Sequence, residues 1–281
     1  MSARFGERVR VALAAHGPLC VGIDPHAALL DSWGLGDDAA GVREFGLRTV
    51  EAAAGRAGLV KPQVSFFERF GSAGFAALEE VISAARAAGL LVIADAKRGD
   101  IGSTMDAYAA AWLSPGSPLE VDALTVNPFL GVGALDGAFA LAEQHDKGLF
   151  VLAATSNPEA EVLQRSISET GRAVSADIVS VVSARNAEHT AAGEWGSFGF
   201  VIGATVDWTD AGIAAFSPTA PILAPGFGTQ GATPSDLHRR FGSMSAAVIA
   251  SESRSILSAG PTGLAVAIDA RVAEYREAGR G

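Results

Sequence analysis

Lysine is scarce in this chain. Of 21 lysine and arginine residues, only Lys61, Lys97 and Lys147 are lysine. Arginine stays protonated at any working pH, whereas lysine can be tuned and can release a proton, so each lysine in so arginine-biased a chain invites a chemical question. Cysteine is scarcer still, with Cys20 alone. No disulfide can form within the chain, which suits a reducing compartment, and Cys20, lying in an apolar run, reads as a core thiol. Long apolar runs are missing too. None reaches the ~18 residues a membrane span needs. The first segment mixes Glu7 with Arg4, Arg8 and Arg10 and reads as an amphipathic helix, not a signal peptide. A cytoplasmic protein with no membrane partner is expected. Net positive charge is also absent: the formal charge is −10, which argues against a general nucleic-acid binder while leaving room for a small anion held by local cations. The five histidines, His16, His26, His145, His189 and His238, show no paired ligand spacing, and a zinc site is not expected.

What is present is apolar material and rhythm. Hydrophobic residues make up 49% of the 281, and the mean hydropathy is +0.28. Short β-type apolar runs recur at 19–25, 59–66, 90–97, 122–129, 148–155, 197–205, 220–228 and 246–253. Alanine-rich segments with helical spacing lie between them, as at 74–89 and 171–189. Near-continuous apolar strands alternating with helices predict a parallel sheet covered on its outer face, and eight such units in about 250 residues match a (β/α)8 TIM barrel. A doubly wound open sheet is the alternative, weakened because no glycine-rich nucleotide fingerprint follows the first strand. No linker or low-complexity segment interrupts the chain, so 1–281 reads as a single domain.

In a barrel, chemistry gathers where the strands end. Those ends carry Asp24, Lys61, Asp95 with Lys97, Asn127, Thr155 with Ser156, Gln230 and Arg254. A single polar residue there could be a turn former; seven strands ending this way is harder to dismiss. Side chains two apart on a strand share a face, so Asp95 and Lys97 both point into the barrel mouth. With Lys61 on a different strand and Asp100 just beyond, they make an alternating array of bases and acids. A buried ion-pair network is the structural alternative, but it is a weak source of stability beside apolar packing. A fixed ammonium can stabilise a developing carbanion and then protonate it. A carboxylate near the reacting centre would repel an anionic substrate group more than a neutral product, favouring loss of carbon dioxide. A second constellation closes the chain. Pro225 opens the glycine-rich stretch "PGFGTQG" (225–231) after strand seven, and Arg254 follows strand eight. Glycines let backbone N–H groups approach an anion, and the loops after strands seven and eight commonly hold phosphate in this fold.

The segment Asp95-Ala-Lys97-Arg-Gly-Asp100-Ile101, followed by Thr104 and preceded by Lys61, resembles the Asp-x-Lys-x-x-Asp-Ile signature of the orotidine 5′-phosphate decarboxylase family. The likeness runs from "GIDP" at 22–25 to "SRSI" at 253–256, and "KPQVSFFERFG" (61–71) with "TSNPE" (155–159) resembles the longer bacterial branch. The resemblance implies conversion of orotidine 5′-monophosphate (OMP) to uridine 5′-monophosphate (UMP), the last step of de novo pyrimidine synthesis, with no metal or organic cofactor. It implies a catalytic network of Lys61, Asp95, Lys97 and Asp100, with Lys97 stabilising and protonating the C6 carbanion. It places Asp24 at a ribose hydroxyl, Ile101, Thr104 and Pro225 at the substrate, Ser156 at the pyrimidine amide, Gln230 between pyrimidine and phosphate, and Arg254 at the phosphate. It also implies a homodimer in which Asp100 reaches the neighbouring subunit's site. Ser253 departs from the family's glycine before the arginine, and Thr155 competes with Ser156 for the base. Two rivals remain. Sister enzymes acting on sugar phosphates share the signature but use magnesium, and their metal site needs an acid where this chain has Lys61. A non-catalytic sensor of a sugar phosphate would keep the phosphate loop and Arg254 but would have no use for the charged array.

Overall fold

The computed structural model describes residues 3–279. Eight parallel strands close into a barrel in chain order: β1 (Leu19–Ile23), β2 (Leu59–Pro62), β3 (Leu91–Arg98), β4 (Ala123–Val126), β5 (Gly148–Ala154), β6 (Phe198–Ile202), β7 (Ile222–Pro225) and β8 (Val248–Glu252). β1 pairs with β8 to complete the ring. The expected helices form at Gly71–Ala87 and Val174–His189. The closed barrel excludes the doubly wound alternative.

The period of two along each strand sorts the side chains. One set, including Val21, Val60, Val92 and Leu124, packs outward against the helices. The other contributes one residue per strand to an inner layer: Cys20, Leu59, Ile93, Ala123, Phe150, Val201, Leu223 and Ile249. Burial pushes the Cys20 thiol up to about 12, so it is a packing group and not a nucleophile. The N-terminal helix Phe5–His16 lies under this layer and adds Phe5 and Val9, both at 0% exposure. Phe5 meets Phe150 edge-on, with centroids 5.9 Å apart. A Cβ on Gly148 would fall 2.1 Å from the Phe5 ring, so glycine at the start of β5 is what lets the helix dock. Burying a Phe side chain this fully contributes about 1.5–3 kcal/mol.

One connection breaks the expected alternation. Residues 203–221, between β6 and β7, contain turns and no helix. The stretch holds Gly212, Pro218 and Pro221 among short polar residues, which suits turns better than a helix. Aromatic rings cover the strand instead: Phe216 packs on Phe200 at 4.7 Å, and Trp208 meets Phe241 at 5.8 Å. Lys147, the one lysine away from a strand's end, is buried at the start of β5, 2.7 Å from Glu120, and serves as a structural ion pair. Among the described residues, no helix is long and apolar enough to cross a membrane.

Candidate active site

The inward rows that build the core continue upward into the mouth. Leu59 is followed by Lys61 and Gln63, Ile93 by Asp95 and Lys97, and Ile249 by Ser251 and Ser253. The same alternation that buries an apolar residue at one level presents a polar one at the next. The resulting cavity measures about 290 Å³, with Leu152, Val201 and Leu223 among its apolar lining and Asp24, Lys61, Asp95, Lys97, Ser156, Pro225, Gln230 and Arg254 facing it.

Asp95 is the centre of the charged group. Its Oδ2 accepts from Lys61 Nζ at 3.0 Å and its Oδ1 from Lys97 Nζ at 2.5 Å. The Thr125 hydroxyl donates to Oδ1 at 3.1 Å. Burial alone would raise the Asp95 pKa, but Lys61 and Lys97 outweigh it and hold it below the ordinary carboxylate range. Burial alone would lower the pKa of Lys61, but Asp95 and then Asp24 outweigh it and hold it above the ordinary lysine range. The pair is therefore ionised at neutral pH. Lys97 stands at φ +48°, a left-handed conformation that costs a non-glycine residue roughly 1–2 kcal/mol. The register of β3 against β4 shifts between Ala94 and Arg98, and the Lys97 N–H donates to Thr125 Oγ1 at 2.9 Å, which holds the strained turn in place.

Asp24 Oδ1 lies 4.0 Å from Lys61 Nζ and is buried with no hydrogen-bond partner among the described residues. Leaving such an acceptor unsatisfied costs about 1–3 kcal/mol, which a ligand hydroxyl would offset. At the end of β5 the two candidates for the base contact separate. Thr155 Oγ1 is engaged by Gln164 Nε2 at 3.0 Å and Asn157 Oδ1 at 2.8 Å, and its N–H donates to Gln164 Oε1 at 2.9 Å. Ser156 lines the cavity beside Thr155 and carries no such ties among the described residues. Across the mouth, Arg254 begins the short helix Arg254–Leu257 and faces the cavity; it forms no ion pair among the described residues.

The chain by itself does not bring Asp100, Ile101 and Thr104 into this cavity. Asp100 Oδ1 accepts the Ile101 N–H at 2.8 Å, Ile101 is 62% exposed, and Thr104 lies in the first turn of the helix Gly102–Leu113. Three members of the four-charge array are thus in contact and the fourth stands outside. Asn127 is a turn former, its Oδ1 accepting the Phe129 N–H at 3.0 Å. Sequence reasoning missed Gln63, which accepts from Lys61 Nζ at 3.2 Å and donates to the Asp95 carbonyl at 3.3 Å. Its position two residues after Lys61 was the available signal. It also missed Thr125 and Gln164. Among the described residues, no group of three or more His, Cys, Asp or Glu side chains is arranged to hold a metal.

Residues 17–267 match the family model described as orotidine 5′-phosphate decarboxylase / HUMPS family. An orotidine 5′-phosphate decarboxylase of Corynebacterium efficiens is 51% identical over 277 residues, covering 98% of both chains. One from Streptomyces coelicolor is 50% identical over 276 residues, again covering 98% of both. The crystal structure of a candidate orotidine 5′-phosphate decarboxylase from Streptomyces avermitilis superposes with a TM-score of 0.94 at 48% identity, covering 100% of this chain and 98% of that one. The structure of Leishmania donovani OMP decarboxylase gives 0.78 at 29% identity, covering 99% and 100%. With matches of this length and identity, the chain belongs to the orotidine 5′-phosphate decarboxylase / HUMPS family.

Proposed function

We propose that this protein decarboxylates OMP to UMP, the last step of de novo pyrimidine synthesis. The observation that carries the reading is the contact row Lys61–Asp95–Lys97 at the cavity wall, in a chain whose relatives bear that enzyme's name. In this reading the bond from C6 to the carboxylate breaks, carbon dioxide leaves, and the electron pair stays on C6. Lys97 Nζ stabilises that charge and then gives its proton to C6. Asp95 holds the ammonium in place, and Lys61 holds Asp95. The unpaired Asp24 oxygen takes a ribose hydroxyl, Ser156 takes the pyrimidine amide, and Pro225, Gln230 and Arg254 line the base-to-phosphate side. Phosphate binding, remote from C6, supplies energy that organises the charged row.

Asp100, Ile101 and Thr104 complete a neighbouring subunit's site in a homodimer. The exposed apolar side chains of Ile101 and Tyr108, on and beside the helix that follows Asp100, and of Phe129 and Leu130 after β4 support this, because large apolar groups left on a surface commonly mark an interface. Lys61 speaks against the magnesium-dependent sugar-phosphate branch, since an ammonium cannot ligate the metal. The reading includes a cytoplasmic location, no metal or organic cofactor, and no nucleic-acid partner; the single buried cysteine and the acidic charge agree with it. Purified protein in EDTA should consume OMP, followed by its ultraviolet absorbance, and release UMP. Absence of OMP turnover, with a magnesium-dependent turnover of a sugar phosphate in its place, would move the protein to the sister branch.

A further inference from the structure

Glu252 ends β8 with its side chain at 0% exposure, and it does not line the cavity. A buried carboxylate needs partners, and these come from two segments, with a third packed against them. Its Oε1 accepts from Tyr275 Oη at 2.7 Å and its Oε2 from Ser255 Oγ at 2.6 Å, while Arg271 Nε lies 3.4 Å from Oε2. Tyr275 and Arg271 belong to the C-terminal helix Gly260–Ala278; Ser255 directly follows Arg254. The third segment is the glycine turn. Gly228 stands at φ +73°, and a Cβ there would fall 2.5 Å from Ser255 Oγ and 2.7 Å from Glu252 Oε2. The turn two residues before Gln230 therefore rests directly on the carboxylate and its hydroxyl partner. Phe227 braces the same turn against the Tyr275 ring, centroids 5.8 Å apart. Burial, and then Glu252 itself, push the Tyr275 phenol far above its ordinary value, so it remains a hydrogen-bond donor.

We propose that Glu252 is a positioning residue for the phosphate side of the site, tying the turn that carries Gln230 and the helix start that carries Arg254 to the C-terminal helix. The inference rests on the reading of Gln230 and Arg254 as phosphate ligands. A carboxylate that only pinned the helix would change the melting temperature without separating phosphorylated from unphosphorylated ligands.

The test compares competitive inhibition by UMP and by uridine. Glu252→Gln keeps the shape but turns an amide N–H2 toward one of the donors. It should weaken UMP by about tenfold and uridine by less than about twofold. Tyr275→Phe, which removes one donor and keeps the ring on Phe227, should weaken UMP by about threefold with the same selectivity, and it decides the matter if Glu252→Gln does not fold. Arg254→Ala, measured alongside, reads the phosphate site itself and should weaken UMP by roughly a hundredfold while sparing uridine. Loss of both ligands alike, or of neither, in the Glu252 and Tyr275 variants overturns the positioning role if Arg254→Ala keeps its selectivity. If Arg254→Ala fails to separate UMP from uridine, the phosphate reading falls and the positioning role falls with it.

Discussion

Lys61 Nζ lies 3.0 Å from Asp95 Oδ2 across two neighbouring strands, and both side chains are buried. Such a pair stabilises a fold less well than apolar side chains of similar volume. Replacing both, Lys61→Met with Asp95→Leu, should leave the melting temperature unchanged or higher and eliminate OMP turnover. Asp95→Ala alone strands a buried ammonium and should lower stability by about 3–5 kcal/mol. Denaturant unfolding and the ultraviolet assay read both quantities. An active double variant would refute the assignment of this pair to chemistry.

The same pair sets a pH window. The folded pKa of Asp95 is lowered, so its contribution to stability is complete above its unfolded value of about 3.9 and is lost as pH falls through the folded value. The folded pKa of Lys61 is raised, so its contribution is complete below about 10.4 and is lost as pH rises through the folded value. These directions follow from the charges around each group. The unfolding free-energy difference between wild type and the double variant should be constant from about pH 4 to about pH 10 and move toward the double variant beyond either limit. A slope within the window would show that the pair titrates there.

Lys97 joins the charge proposed to act on C6 to a strained backbone. Lys97→Ala should fold and lose at least ~10³-fold in kcat, since stabilisation and protonation of C6 disappear together. Lys97→Arg should recover little, because a guanidinium does not readily release a proton. Lys97→Gly should be equally inactive but about 1 kcal/mol more stable than Lys97→Ala, because glycine accepts the left-handed φ. Activity within about tenfold of wild type in either the Ala or the Arg variant contradicts the proposed role.

Asp100 tests the shared site. Lys97→Ala and Asp100→Ala homodimers should each be nearly inactive. Subunit exchange between equal amounts makes about half the dimers mixed, each with one site free of both lesions, so activity should return to roughly one quarter of wild type. Mass-tagged subunits establish that exchange took place. Verified mixed dimers without recovered activity would assign Asp100 to its own chain.

The barrel and most of the cavity lining were legible because both follow from the strands. Short, near-continuous apolar runs marked all eight, and the polar residues ending seven of them marked the mouth. Residues that act through tertiary contact were not. Thr125 matters because β3 shifts register beside it, and Gln164 because a loop folds back nine residues to grip Thr155; neither carries a local pattern. The helix expected between β6 and β7 failed because aromatic packing from Trp208 and Phe216 covers the strand without one. Glu252 carried no mark at all, since its partners on the C-terminal helix are 19 and 23 residues away in sequence.

The N-terminal helix beneath the barrel has a consequence for traffic. With Phe5 and Val9 filling the lower end and the inner apolar layer closed above them, the cavity at the strand ends is reached from the side away from the helix. Substrate arrives and nucleotide departs through the same aperture, so the next turnover waits on the last departure. Product inhibition that is competitive with OMP follows from this shared path, with its strength set by the side chains that grip the nucleotide.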